Sequence, residues 1–140
     1  MKKTAVLLLL LFSFFVVQGQ DQKAPKPVAP YSQSVKTKSG ILFVSGQIPI
    51  NPETNKLVIG DIKVATGQVM KNIGSILKKN GMDYSNIVKC TIFLTDINDY
   101  GAVNKVYGSY FEGQYPAREA IEVVNLPLGA IIEISAIASE

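Results

Sequence analysis

The chain has 140 residues, a formal net charge of +3, one cysteine and no histidine. The missing histidine excludes Ser-His-Asp and Cys-His catalysis and disfavours a zinc or iron centre, and a lone Cys90 leaves no intramolecular disulfide to form. Basic residues are nearly all lysine, with no basic patch interleaved with aromatics, so neither charge nor composition points to nucleic acid.

Residues 1–19 read as a secretory signal peptide. Lys2 and Lys3 precede an apolar run over residues 5–17 that only Ser13 interrupts, and Val17-Gln18-Gly19 puts modest side chains at a cleavage site. The run is short for a membrane span, which needs about 20 apolar residues. Cleavage after Gly19 is expected. It would give an exported protein, periplasmic or secreted, with no membrane anchor. About 120 residues remain, enough for one core, and loss of Lys2 and Lys3 brings the charges close to balance. Residues 20–30, with Pro25, Pro27 and Pro30, form an extended lead-in, and residues 31–140 form one domain.

Along that domain, Ile41-Leu42-Phe43-Val44-Ser45 lies between Gly40 and Gly46 and predicts a strand. Asn51-Pro52-Glu53-Thr54-Asn55 predicts a turn, with a short return strand at Leu57-Val58-Ile59. Residues 61–80 predict a helix. Ile62, Ala65, Val69, Ile73 and Ile76 keep the helical period, Asp61 suits the N-terminus, Lys78 and Lys79 suit the C-terminal end of the dipole, and Asn80-Gly81 suits the stop. Residues 87–95 predict a strand in which Cys90 is a buried small apolar side chain. Asp96 caps a second helix to about residue 111, carrying Val103, Val106, Tyr107 and Tyr110. A strand through residues 119–124, a turn at residues 125–129 and a last strand at residues 130–138 complete the order β-β-α-β-α-β-β, without internal repeats.

That order predicts an α+β fold, with two helices covering one face of a mostly antiparallel sheet. Strand alternation assigns Val88, Cys90, Ile92, Leu94, Ile121, Val123, Ile132, Ile134, Ala136 and Ala138 to the helix-facing side. Phe93, Ala120, Val124, Ile131 and Ile137 fall on the other side, too apolar a face to leave in water, and burial between subunits is expected. By the same alternation Arg118 and Glu133 share that second face.

Two residues stand out chemically. Arg118 is the only arginine among thirteen lysines, and a planar guanidinium binds a carboxylate through two parallel hydrogen bonds as an ammonium cannot. Glu133 interrupts an apolar strand, where burial would raise its pKa and suit it to acid–base work. A structural ion pair is the other reading of both. Ser45 and Gly46 at a strand end, Tyr31 before that strand and Asn104 on the second helix are weaker candidates, each equally suited to a turn, a packed ring or an exposed amide. No glycine-rich phosphate loop or paired-cysteine motif is present.

Taken together, Pro30-Tyr31-Ser32-Gln33, Ser45-Gly46-Gln47-Ile48-Pro49, Val103-Asn104-Lys105-Val106-Tyr107, Pro116-Ala117-Arg118 and Leu126-Pro127 before Ile132-Glu133-Ile134 resemble the RidA/YjgF reactive intermediate deaminase family, over residues 24–138. The resemblance implies a chorismate-mutase-like fold and a homotrimer with three sites in clefts between subunits. It implies hydrolysis of 2-imino acids such as 2-iminopropanoate and 2-iminobutanoate to 2-keto acids and ammonia, with no cofactor or metal. It also implies roles: Arg118 clamps the substrate carboxylate, Glu133 positions or activates water, Tyr31 contacts the ligand, Ser45 and Gly46 line the pocket, and Asn104 lies near it across the interface. Ala120 stands where the family often has cysteine. The family contact there is through the backbone carbonyl, so alanine excludes only a thiol role. Export departs from the family's cytosolic setting. Two other functions stay open: a non-catalytic module binding small carboxylates or keto acids in the same clefts, and a family-associated activity on RNA or unfolded proteins.

Overall fold

A computed structural model describes residues 25–27 and 29–140. The expected signal peptide lies outside the described residues. Seven strands and two α-helices follow in the order β1 (Ser34–Lys36), β2 (Ile41–Gln47), β3 (Ile50–Asn51), β4 (Lys56–Leu57), α1 (Ile62–Lys79), β5 (Ile87–Leu94), α2 (Tyr100–Gly108), β6 (Ala117–Glu122) and β7 (Ile132–Ser139). The predicted order holds with two short strands added: β1 ahead of the first predicted strand, and β3 between that strand and the predicted turn.

Five strands form one sheet in the order β1-β2-β7-β5-β6, antiparallel except for the parallel pair β5–β6. A parallel pair needs a crossover, and α2 provides it. Strands β3 and β4 make a separate hairpin after β2, and β4 shares only Leu57 with the return strand expected at Leu57-Val58-Ile59.

The local chemistry of α1 is as read. Asp61 caps it by accepting from the Lys63 backbone N–H at 2.7 Å. At the far end Met82 N–H bonds Leu77 O at 3.0 Å and Gly81 N–H bonds Lys78 O at 3.1 Å, with Gly81 at φ +75°. This is the Schellman pattern, and it requires a residue tolerant of positive φ. Ala65, Val69, Met70, Ile73, Ile76 and Leu77 are buried against Leu42, Val44, Cys90, Ile92, Leu94, Ile132, Ile134, Ala136 and Ala138. The second helix is shorter than expected. Asp96 caps a single 3-10 turn over Ile97–Asp99, and α2 ends at Gly108. Tyr110 and Tyr84 tie this region to α1, donating to Gly67 O at 3.2 Å and Met70 O at 2.9 Å.

The register corrects the expected faces of β6. In the parallel pairing Arg118 lies beside Cys90, Ala120 beside Ile92 and Glu122 beside Leu94, so all three take the helix-facing side. Ile121 lies beside Phe93 on the open side and is 45% exposed. The apolar residues of β6 had suggested the reverse. The sheet is phased by pairing with β5, and β6 is an edge strand whose large apolar residue faces out. Val88 was also expected in the core and is 50% exposed, because it is the extra residue of a bulge between Ile87 and Lys89. The open side of the sheet nevertheless carries Val35, Phe43, Phe93, Ile121 and Ile137, so the expectation of an apolar second face holds for these strands.

Candidate active site

The predicted site residues fall into two groups on opposite faces of the sheet. Glu133 pairs across from Phe93 on the open face, whereas Arg118 pairs beside Cys90 on the helix face. The sequence expectation that both share one face is therefore corrected, and with it any direct Arg118–Glu133 ion pair within one protomer.

The first group surrounds a depression of about 250 Å³ lined by Tyr31, Ser45, Gly46, Ile48, Pro127 and Glu133, among others. A second bulge builds it. Val44 pairs with Ala136 and Gln47 with Ile134, so Ser45 and Gly46 together occupy one position opposite β7. Gln47 turns inward and its amide donates to Ser45 O at 3.0 Å, while the Ser45 hydroxyl donates to Ser32 O at 2.7 Å, tying the Tyr31 segment to the bulge. Buried Asn72 of α1 donates to Ile48 O at 3.3 Å and Ile50 O at 3.0 Å and so fixes the chain leaving the bulge. The Glu133 carboxylate passes over Gly46 so closely that a Cβ there would sit 1.8 Å from Oε1. Any side chain at residue 46 would push the Glu133 carboxylate out of this place. Glu133 is half-buried and makes no hydrogen bond or ion pair among the described residues, and desolvation pushes its pKa above the usual carboxylate value. A carboxylate left this way is costly for folding and suited to taking a proton.

The second group surrounds a depression of about 450 Å³ lined by Asn104, Tyr107, Gly108, Tyr115, Pro116 and Arg118. Arg118 Nη1 donates to Asn104 Oδ1 at 2.7 Å and Nη2 to the Tyr100 hydroxyl at 2.8 Å. Its Cζ lies 5.3 Å from the Tyr100 ring centre and 5.1 Å from that of Tyr107. No carboxylate neutralises it among the described residues, so the guanidinium is held in place with its charge available. Beneath it Tyr107 is buried with its hydroxyl against the Cys90 thiol and without a full hydrogen bond; burial pushes both pKa values up. Cys90 is thus a packed thiol and not a thiolate. Ala120 packs against the core from the helix face and lines neither depression.

Sequence reading missed Tyr100 and underrated Tyr107. Tyr100, Asn104 and Tyr107 are spaced i, i+4 and i+7, one face of a helix that runs past Arg118. The spacing was readable, but only the β5–β6 crossover brings that face to Arg118.

Compared with known proteins, residues 21–140 match the family model described as Endoribonuclease L-PSP. The chain belongs to that family, RidA/YjgF. Curated RidA relatives include a mouse protein named 2-iminobutanoate/2-iminopropanoate deaminase, 46% identical over 83% of this chain and 85% of its own length. Protein DfrA of Myxococcus xanthus is 48% identical over 84% of this chain and 91% of its own. Among solved structures, Escherichia coli TdcF with bound serine superposes with a TM-score of 0.80 at 34% identity, covering 85% of this chain and 94% of that one. The α+β fold is therefore shared with solved structures of this family.

Proposed function

We propose that the protein is a cofactor-independent deaminase that hydrolyses 2-imino acids, of the 2-iminopropanoate and 2-iminobutanoate type, to 2-keto acids and ammonia. The observation that carries this reading is the pair of half-sites. One holds a cation fixed for a planar anion, and the other holds a carboxylate with a raised pKa and no partner.

Because a sheet separates the two within a protomer, the reading requires a second copy to bring Arg118 of one subunit to Glu133 of the next. The exposed apolar side chains Phe43, Ile121, Val124 and Leu128 support such an assembly, since an unpartnered surface of this kind is unfavourable in water. A closed homotrimer gives three equivalent clefts of this composition. The serine bound in TdcF and the name of the mouse relative favour a small α-carboxylate ligand.

In the proposed reaction the substrate carboxylate takes the free N–H groups of Arg118, which fixes the imine carbon beside a water. With the imine protonated on nitrogen, Glu133 accepts a proton from that water as its oxygen bonds to the imine carbon, which gives a neutral carbinolamine. Glu133 then hands that proton to the amine nitrogen and takes the hydroxyl proton as the C–N bond breaks and the C=O forms; ammonia leaves and carries away the proton left on Glu133. General-base help of this kind is worth roughly 10²–10⁴-fold. The lone arginine suits the first role and the raised pKa suits the second. Tyr31, Ser45 and Gly46 line the Glu133 side, and Asn104 holds Arg118.

The test is to generate 2-imino acids with an amino-acid oxidase and follow imine loss against a nucleophilic trap. Wild type is expected to accelerate hydrolysis, with Arg118→Lys and Glu133→Gln at the uncatalysed rate. If wild type gives no acceleration but binds 2-ketobutyrate, the binding-module reading replaces the enzymatic one.

A further inference from the structure

We infer that Tyr100 is a positioning residue for the Arg118 clamp; the inference rests on the reading of Arg118 as the carboxylate binder. Tyr100 is the first residue of α2, and its hydroxyl accepts from Arg118 Nη2 at 2.8 Å with Cζ 5.3 Å from its ring centre. Asn104 holds only the other terminal nitrogen, Nη1.

The two contacts do different things. Rings on the guanidinium, Tyr100 and Tyr107, limit its tilt but leave it free to turn within its own plane. A single hydrogen bond from Nη1 to Asn104 leaves a pivot about that atom. The second bond, to Tyr100, fixes a second point of the fork and stops the rotation. A guanidinium has five N–H donors in rigid geometry. With one on each terminal nitrogen held by protein, a second N–H on each and the Nε–H stay available, in directions set by Tyr100 and Asn104. Affinity for a planar carboxylate depends on those directions being fixed before the ligand arrives.

Tyr100 does not line the depression beside Arg118, so its effect passes through the guanidinium. At 41% exposure it is not a core residue, which weakens a purely structural explanation for it.

The decisive variant is Tyr100→Phe in the full assembled protein. It keeps the ring and removes only the acceptor. The expected result is a roughly three- to tenfold rise in both KM for 2-iminobutanoate and Kd for 2-ketobutyrate, as for loss of one charge-assisted hydrogen bond, with kcat within about twofold of wild type. A structural defect would instead lower kcat at unchanged KM by removing active protein. Unchanged KM and Kd in Tyr100→Phe, beside a wild type that binds and an Arg118→Lys variant that does not, overturn the inference and leave the deaminase reading intact. A wild type that neither turns over imine nor binds 2-ketobutyrate overturns both.

Discussion

At the scale of single residues, the Glu133 half-site depends on an absent side chain. Alanine at residue 46 would drive a Cβ to 1.8 Å from the Glu133 carboxylate, so that carboxylate must leave its place. Gly46→Ala is expected to cut kcat/KM by at least about tenfold with little change in stability, since the atoms it displaces are the free end of a flexible side chain; steady-state kinetics beside thermal melts check both. The pKa of Glu133 carries its own sign. A carboxylate whose folded pKa is raised binds its proton more tightly in the folded state, so folding weakens as pH climbs through and beyond the unfolded value near 4.5. Glu133→Gln is therefore expected to raise Tm at pH 7 by a few degrees, with the gain shrinking towards pH 4, while the same change abolishes catalysis. The acid limb of kcat/KM in wild type should lie above that ordinary value. Both residues were legible in the sequence, as the only arginine and as a charge inside an apolar strand. Tyr100 was not, because a tyrosine near a helix start carries no mark until a guanidinium is placed against it.

At the scale of elements, two bulges and one parallel pairing decide what the sequence could not. The alternation of β5 and β7 identified their buried side chains correctly from Cys90 to Leu94 and from Ile132 to Ala138. It failed in β6, where Ala117-Arg118-Glu119-Ala120-Ile121-Glu122 offers one large apolar side chain and the choice of face rested on it. Hydrogen bonding to β5 fixed the opposite phase and carried Arg118 to α2. The bulge at Ser45 and Gly46 was equally unreadable, since serine and glycine at a strand end fit an ordinary turn as well. Its support from α1 is testable. Asn72 is buried and bonds the carbonyls of Ile48 and Ile50. Asn72→Ala should remove the side-chain donor from the Ile50 carbonyl, while Ile48 O keeps the Ile50 N–H at 2.7 Å, and should cost about 1–3 kcal/mol by chemical denaturation. It should also weaken 2-ketobutyrate binding, because Ile48 lines the Glu133 depression.

At the scale of the whole molecule, Arg118 and Glu133 lie on opposite faces of one sheet, and the proposed function needs a second copy to bring them together. The apolar open face, with Phe43 at 47% and Ile121 at 45% exposure, is where that copy is proposed to dock. Ile121→Lys should reduce the mass in sedimentation to that of one protomer and remove activity together with assembly. Export through residues 1–19 is a separate proposal, and a mature N-terminus at Gln20 by mass spectrometry is its expected mark. The shared site has a more direct test. Arg118→Lys and Glu133→Gln proteins, each inactive alone, are mixed in equal amounts, dissociated and reassembled. If each site takes its arginine from one subunit and its glutamate from the next, one interface in four receives both intact residues, and activity should return to about a quarter of wild type. If both residues serve the same site from one protomer, no mixed assembly contains an intact pair, and activity that stays at background would contradict the account.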